Sequence, residues 1–200
     1  MKKLLCSVLA LGLLLAGCAG GNKEAEETPS ANLLQPLALT EEEDALLNLV
    51  GGTQAEYGLY QFAAGEDVTG YTIAVLSWSD GAWQTLAEGG LSSRQSDSLR
   101  LGIVLSGDKI TVNFQDGAGR YSYAPTISDM DRELDSGSGR GAMWLESDQT
   151  LTPGEQVPLY LEVYDSGTGI RAAALPDTFF DAGQLNSYDR AYAVAITAEP

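Results

Sequence analysis

Trp78 and Trp83 flank an Asp80-Gly81 turn signal, and they are the residues best suited to recognition chemistry in this chain. If Asp80-Gly81 is a two-residue hairpin loop, Ser79 pairs with Ala82 and Trp78 faces Trp83 across the strands, where side chains approach closely. An exposed pair of indoles on one face is a platform for sugar rings, with Asp80 and Gln84 supplying hydrogen bonds. A buried pair is a core staple. Leu76 lies on the indole face, while Val75 and Leu86 lie on the other, so both readings stand, with the staple carrying more weight. Asp129, Asp131, Glu133 and Asp135 form the second candidate, an alternating acidic run suited to calcium, which takes clustered oxygen ligands. Its spacing lacks the glycine and terminal carboxylate of a helix-loop-helix calcium site, and Arg132 and Arg140 compete for the same oxygens, so a solvated loop is the simpler expectation. Paired carboxylates also allow glycoside hydrolysis, but no spacing singles out a pair.

The chain contains no histidine. Ser-His-Asp and Cys-His catalysis and histidine-bearing zinc sites are therefore excluded. No catalytic motif and no cofactor motif replaces them; Gly137–Gly141 lacks the Lys-Ser/Thr ending of a phosphate loop. The expectation is a protein that is not an enzyme and needs no cofactor.

Cys18 carries the most specific signal. Lys2 and Lys3 begin the chain, Leu4 to Ala16 form an apolar run too short to span a bilayer comfortably, and Leu15-Ala16-Gly17-Cys18 closes it. Small side chains at Ala16 and Gly17 leave the backbone open to a peptidase, and the Cys18 thiol is a nucleophile. This leader resembles the signal of bacterial lipoproteins. The resemblance implies diacylglycerol on Cys18, cleavage between Gly17 and Cys18, and a protein held by its lipid outside the cytoplasmic membrane. Beyond Cys18 the pattern of short β segments is similar to that of uncharacterised surface lipoproteins, a likeness that implies no activity.

The two cysteines are Cys6 and Cys18, so removal of the leader and acylation leave no thiol for a disulfide. The formal net charge of −17 argues against nucleic acid and against contact with anionic lipid headgroups. Solubility in an anionic envelope accounts for that charge more simply than a dedicated cation-binding role.

The elements that would position these residues follow from hydrophobic period. Residues 1–17 read as the signal peptide and residues 18–39 as a lipidated, flexible tether rich in Gly, Glu and Pro. Residues 40–200 read as a single domain, long enough to bury a core without disulfides. A short helix over 41–50 opens it, with Thr40 and Glu43 as a capping box and Leu46, Leu47 and Val50 on the face that docks as a lid or edge cover. From Tyr57 the period changes to alternation, with strands over 57–63, 71–79, 82–87, 99–106, 109–115, 120–124, 141–146, 157–165, 170–174 and 190–197. This pattern predicts a mainly β fold, an antiparallel β-sandwich of immunoglobulin-like or jelly-roll-like kind. In the hairpin around Gly107-Asp108, Leu105 should face Ile110, Ile103 face Val112, and Leu101 face Phe114. Val157, Leu159, Leu161 and Val163 should point inward, with Tyr160, Glu162 and Tyr164 on the other side, and Pro158 hints at an edge strand.

The function expected from sequence is a lipid-anchored, non-catalytic binding or envelope-associated module on the outer side of the cell membrane. Its partners would be the membrane, through the Cys18 lipid, and an envelope component or glycan. A carbohydrate-binding protein using Trp78 and Trp83 is the alternative, and a hydrolase using paired carboxylates is the third reading.

Overall fold

The structure is a computed structural model that describes residues 32–51, 55–92, 98–106, 109–117, 119–125, 139–167 and 174–200. Its elements are β1 (Leu33–Pro36), α1 (Glu41–Gly51), β2 (Ala55–Phe62), β3 (Gly70–Ser79), β4 (Ala82–Ser92), β5 (Leu99–Ser106) and β6 (Lys109–Gln115). They continue with β7 (Arg120–Tyr123), β8 (Gly139–Trp144), β9 (Gln149–Thr150), β10 (Gln156–Asp165), α2 (Asp177–Phe180), α3 (Ala182–Leu185) and β11 (Arg190–Glu199). The expected strand at 170–174 lies almost wholly outside the described residues.

The alternating segments pair into two antiparallel sheets, as their period requires. A six-stranded sheet runs β7-β6-β5-β2-β1-β9, and a five-stranded sheet runs β4-β3-β11-β10-β8. Between them lies a core that joins Ile103, Leu105 and Val112 of one sheet to Ile73, Val75 and Val194 of the other. The mainly β, sandwich-like architecture is thus the one expected. The β5–β6 register also agrees residue for residue: Leu105 opposite Ile110, Ile103 opposite Val112, Leu101 opposite Phe114, and Val104 opposite Thr111. A slip of one residue would turn the whole apolar set to the wrong face, which is why so short a pattern suffices.

β10 departs from its expected alternation. Its pairing with β11 shifts between Pro158 and Tyr160, leaving Leu159 as an extra residue. A bulge of one residue reverses parity beyond it. Val157 and Leu159 face the inter-sheet core before the bulge, and Tyr160 and Tyr164 face it afterwards. Leu161 and Val163 point the other way, into a second apolar layer with Ala191, Ala193 and Ala195 under Phe179 and Leu185. The five-stranded sheet is therefore covered on both faces, by the opposite sheet and by α2 and α3. Pro158 stands at this bulge, just before the Tyr160–Asp165 stretch that pairs with β8, so β10 as a whole is an internal strand and not the edge strand expected. A residue without an amide donor is tolerated at a bulge because the ladder is already interrupted there.

Two further differences concern the start of the domain. The tether expected to run to residue 39 stops earlier, because Leu33–Pro36 form β1, paired with both β2 and β9. Leu34 is completely buried, and one apolar side chain sealed between strands is enough to order a segment whose composition looks like linker. α1 begins as expected. The Thr40 amide donates to Glu43 Oε2 at 2.9 Å, and the Glu43 amide donates to Thr40 Oγ1 at 3.3 Å, closing the capping box. Of the face expected to dock, Leu46 is 56% exposed and Leu47 is part-buried, while Leu49, off that face, is 80% exposed. A Tyr57 hydroxyl that donates to Asp44 Oδ1 at 3.2 Å ties the helix to β2.

Candidate functional site

The Asp80-Gly81 turn forms with positive φ at both central residues, 54° and 77°, as a two-residue hairpin loop matched to strand twist requires. Trp78 stands opposite Trp83 and Ser79 opposite Ala82. The indoles meet edge to face, with ring centroids 5.2 Å apart. Neither is a free platform. The Trp83 ring stacks on Phe179 at 4.9 Å, and both tryptophans pack against the apolar layer beneath α2 and α3. Each indole N–H is also used internally, Trp78 Nε1 donating to Asn186 Oδ1 at 2.8 Å and Trp83 Nε1 to the Phe179 carbonyl at 3.0 Å. Asp80 and Gln84 are exposed, but Gln84 pairs with Ser77 at the neighbouring position, so strand alternation turns it away from the indole face. The geometry is that of a staple holding the short helices to the sheet. Trp83→Ala should therefore lower stability by about 2–3 kcal/mol in urea unfolding, since it strips a stacked, half-buried ring. Gln84→Ala should stay within about 0.5 kcal/mol. A Trp83→Ala protein as stable as the parent would mark the indole as free surface.

Asp129, Asp131, Glu133 and Asp135 lie outside the described residues, as do Gly17 and Cys18. Among the described residues no group of three or more acidic, cysteine or histidine side chains is arranged to hold a metal.

Among the described residues, the most extended polar cluster is one that strand alternation alone assigns to the wrong face. Glu162 on β10 has no exposed surface. Arg140 on β8 donates to its Oε2 through Nε at 3.1 Å and Nη2 at 2.7 Å. The Tyr164 hydroxyl donates to Oε1 at 2.5 Å, and the Tyr160 hydroxyl donates to Oε2. Arg140 Nη2 also reaches Tyr160 Oη at 2.9 Å and, across the sandwich, Glu56 Oε1 on β2 at 2.7 Å. Burial pushes the Tyr160 phenol well above its usual range, and the negative charge of Glu162 pushes it further. Burial alone would lower the Arg140 pKa, but hydrogen bonding to Glu162 and the surrounding negative charge outweigh that effect and raise it. The guanidinium is thus a permanent cation, and the Tyr160 phenol remains a neutral donor. Two carboxylates do meet here, yet both are bound to one guanidinium, and Glu162 offers no surface to a substrate. This is an ionic tie between the sheets. The sequence signal that could have located it is Pro158, because a bulge there moves Tyr160, Glu162 and Tyr164 inward together.

Beside this tie lies a groove of about 350 Å³ at the sandwich margin. It exists because β1 stops pairing with β2 at the Leu37 amide, which donates to the Leu59 carbonyl at 2.8 Å, leaving the Tyr57–Gly58 end of β2 unmatched by β1. Trp144 lies across Gly58, where a Cβ would come within 2.4 Å of the indole. Its ring also rests on Tyr160, with centroids 4.5 Å apart, so the groove wall is supported by the buried tie. Pro36, Leu37 and Tyr57 contribute to the apolar lining, and Glu146 lines the groove as an exposed carboxylate.

No protein-family model, curated protein or solved structure gives a significant match to this chain.

Proposed function

We propose that this chain is a lipid-anchored, extracytoplasmic, non-catalytic binding or envelope-associated module. The observation that carries the reading is Leu15-Ala16-Gly17-Cys18 at the end of a basic and apolar leader. The position of β1 is compatible with it: residues 19–32 separate Cys18 from the first strand, a reach of at most ~50 Å when extended. Two acyl chains on one thioether-linked glycerol anchor stably, where a single chain binds only marginally. The acidic charge then serves to keep the domain off anionic surfaces while the lipid holds it near them. Among the described residues no helix is long and apolar enough to cross a membrane. An envelope component or glycan is the partner class proposed for the domain.

Mass spectrometry of the membrane fraction should find an N-terminal peptide that begins at a diacylated Cys18. Cys18→Ala should release or mislocalise the protein and leave its unfolding midpoint unchanged, because the box lies well before β1. A membrane-bound protein that retains Met1 or an unmodified Cys18 thiol would overturn the proposal.

A further inference from the structure

We propose that the groove between the Pro36–Leu37 segment and Trp144–Glu146 binds a small organic ammonium ion. Its volume of about 350 Å³ falls at the small end of ligand sites, large enough for one compact molecule. Tyr57 and Trp144 bring aromatic rings to the lining, whose faces attract cations, and Pro36 and Leu37 supply apolar contact for the carbon body. Glu146 lines the groove as an exposed residue and supplies the counter-charge, and Asp44 on α1 is tied to Tyr57 of the same lining. Arg140, in the tie that backs the groove, is held by Glu56 and Glu162 and is therefore neutralised. A net charge of −17 draws cations toward the domain and repels anions. The site is pre-formed: Gly58 leaves the space that the Trp144 ring occupies, and Tyr160 backs that ring from the core.

The inference deepens the reading of the domain as a binding module and rests on it to that extent. It does not depend on the lipid. The test uses the full chain in a non-ionic detergent, with the Trp144 indole N–H resonance assigned by Trp144→Phe. Choline, putrescine and N-acetyl-lysine methylamide are titrated in turn, against 3,3-dimethylbutan-1-ol as the uncharged counterpart of choline. At least one cation should shift the Trp144 resonance saturably below about 10 mM. The uncharged alcohol should bind at least about tenfold more weakly than choline if choline is the ligand. Glu146→Lys, at an exposed position, should weaken binding about tenfold or more, whereas Glu88→Lys on β4 should not. No saturable shift with any of the three cations would overturn the proposal, as would equal binding of choline and the alcohol or indifference to Glu146→Lys. An intact diacylated Cys18 in the same preparation would show that the groove had failed and the anchor had not.

Discussion

Arg140→Met should destabilise the domain by about 3–5 kcal/mol, because it strands the Glu162 carboxylate where no water reaches it. The size of the loss comes from the partner left behind more than from the pair itself. Glu162 would keep its tyrosine donors but lose the cation that compensates its desolvation. Arg140→Lys should recover part of the loss, since a lysine restores charge without the Nε and Nη2 pair of donors. The decisive variant is Arg140→Met with Glu162→Gln. Glutamine accepts from one tyrosine hydroxyl through its carbonyl oxygen and donates to the other through its NH2, and it carries no charge, so the double variant should be more stable than Arg140→Met alone by about 2 kcal/mol or more. Urea unfolding of the three proteins measures this directly. A near-neutral Arg140→Met would mean that Glu162 is protonated or hydrated in solution, and the tie would not be ionic.

Val112→Asp and Thr111→Asp should differ sharply, although they are neighbours on β6. Val112 is completely buried between the sheets, opposite Ile103 and Tyr123. An aspartate there has no partner, and the cost of about 4–5 kcal/mol is a large share of the stability of an ordinary domain. Thr111 stands opposite Val104 on the other face of the sheet and is only half-buried. Thr111→Asp should remain within about 1 kcal/mol. Thermal or urea unfolding of the pair distinguishes register from mere hydrophobicity. Equal damage would show that β6 is covered on both faces, and greater damage at Thr111 would place the register off by one residue.

The contrast between these two sites shows where sequence reading succeeds. The β5–β6 hairpin is legible because Leu101, Ile103 and Leu105 alternate without interruption and meet Phe114, Val112 and Ile110. The Trp78–Trp83 pairing is legible because Asp80 and Gly81 can both adopt positive φ. The α1 capping box is legible because all its groups lie within four consecutive residues. Each of these is a local rule with a short range. β1 escapes detection because a four-residue strand inside Gly-, Pro- and Glu-rich surroundings has too little sequence to show a period. Its order comes from Leu34 and from two partner strands distant in the chain.

The amino-acid sequence by itself determined the fold class, most strand positions, the hairpin registers and the lack of any histidine-based chemistry. Alternation and turn chemistry act between neighbours, and composition needs no structure at all. Only the tertiary structure decided which face of β10 points inward, because the bulge at Leu159 is a mismatch with β11 and not a property of β10 alone. It likewise decided that the indole pair is covered by Phe179, that Glu162 meets Arg140 and Glu56, and that a groove remains where β1 leaves β2. These contacts join residues far apart in sequence. Their energies depend on burial and on the partner's position, and neither is encoded in a local period.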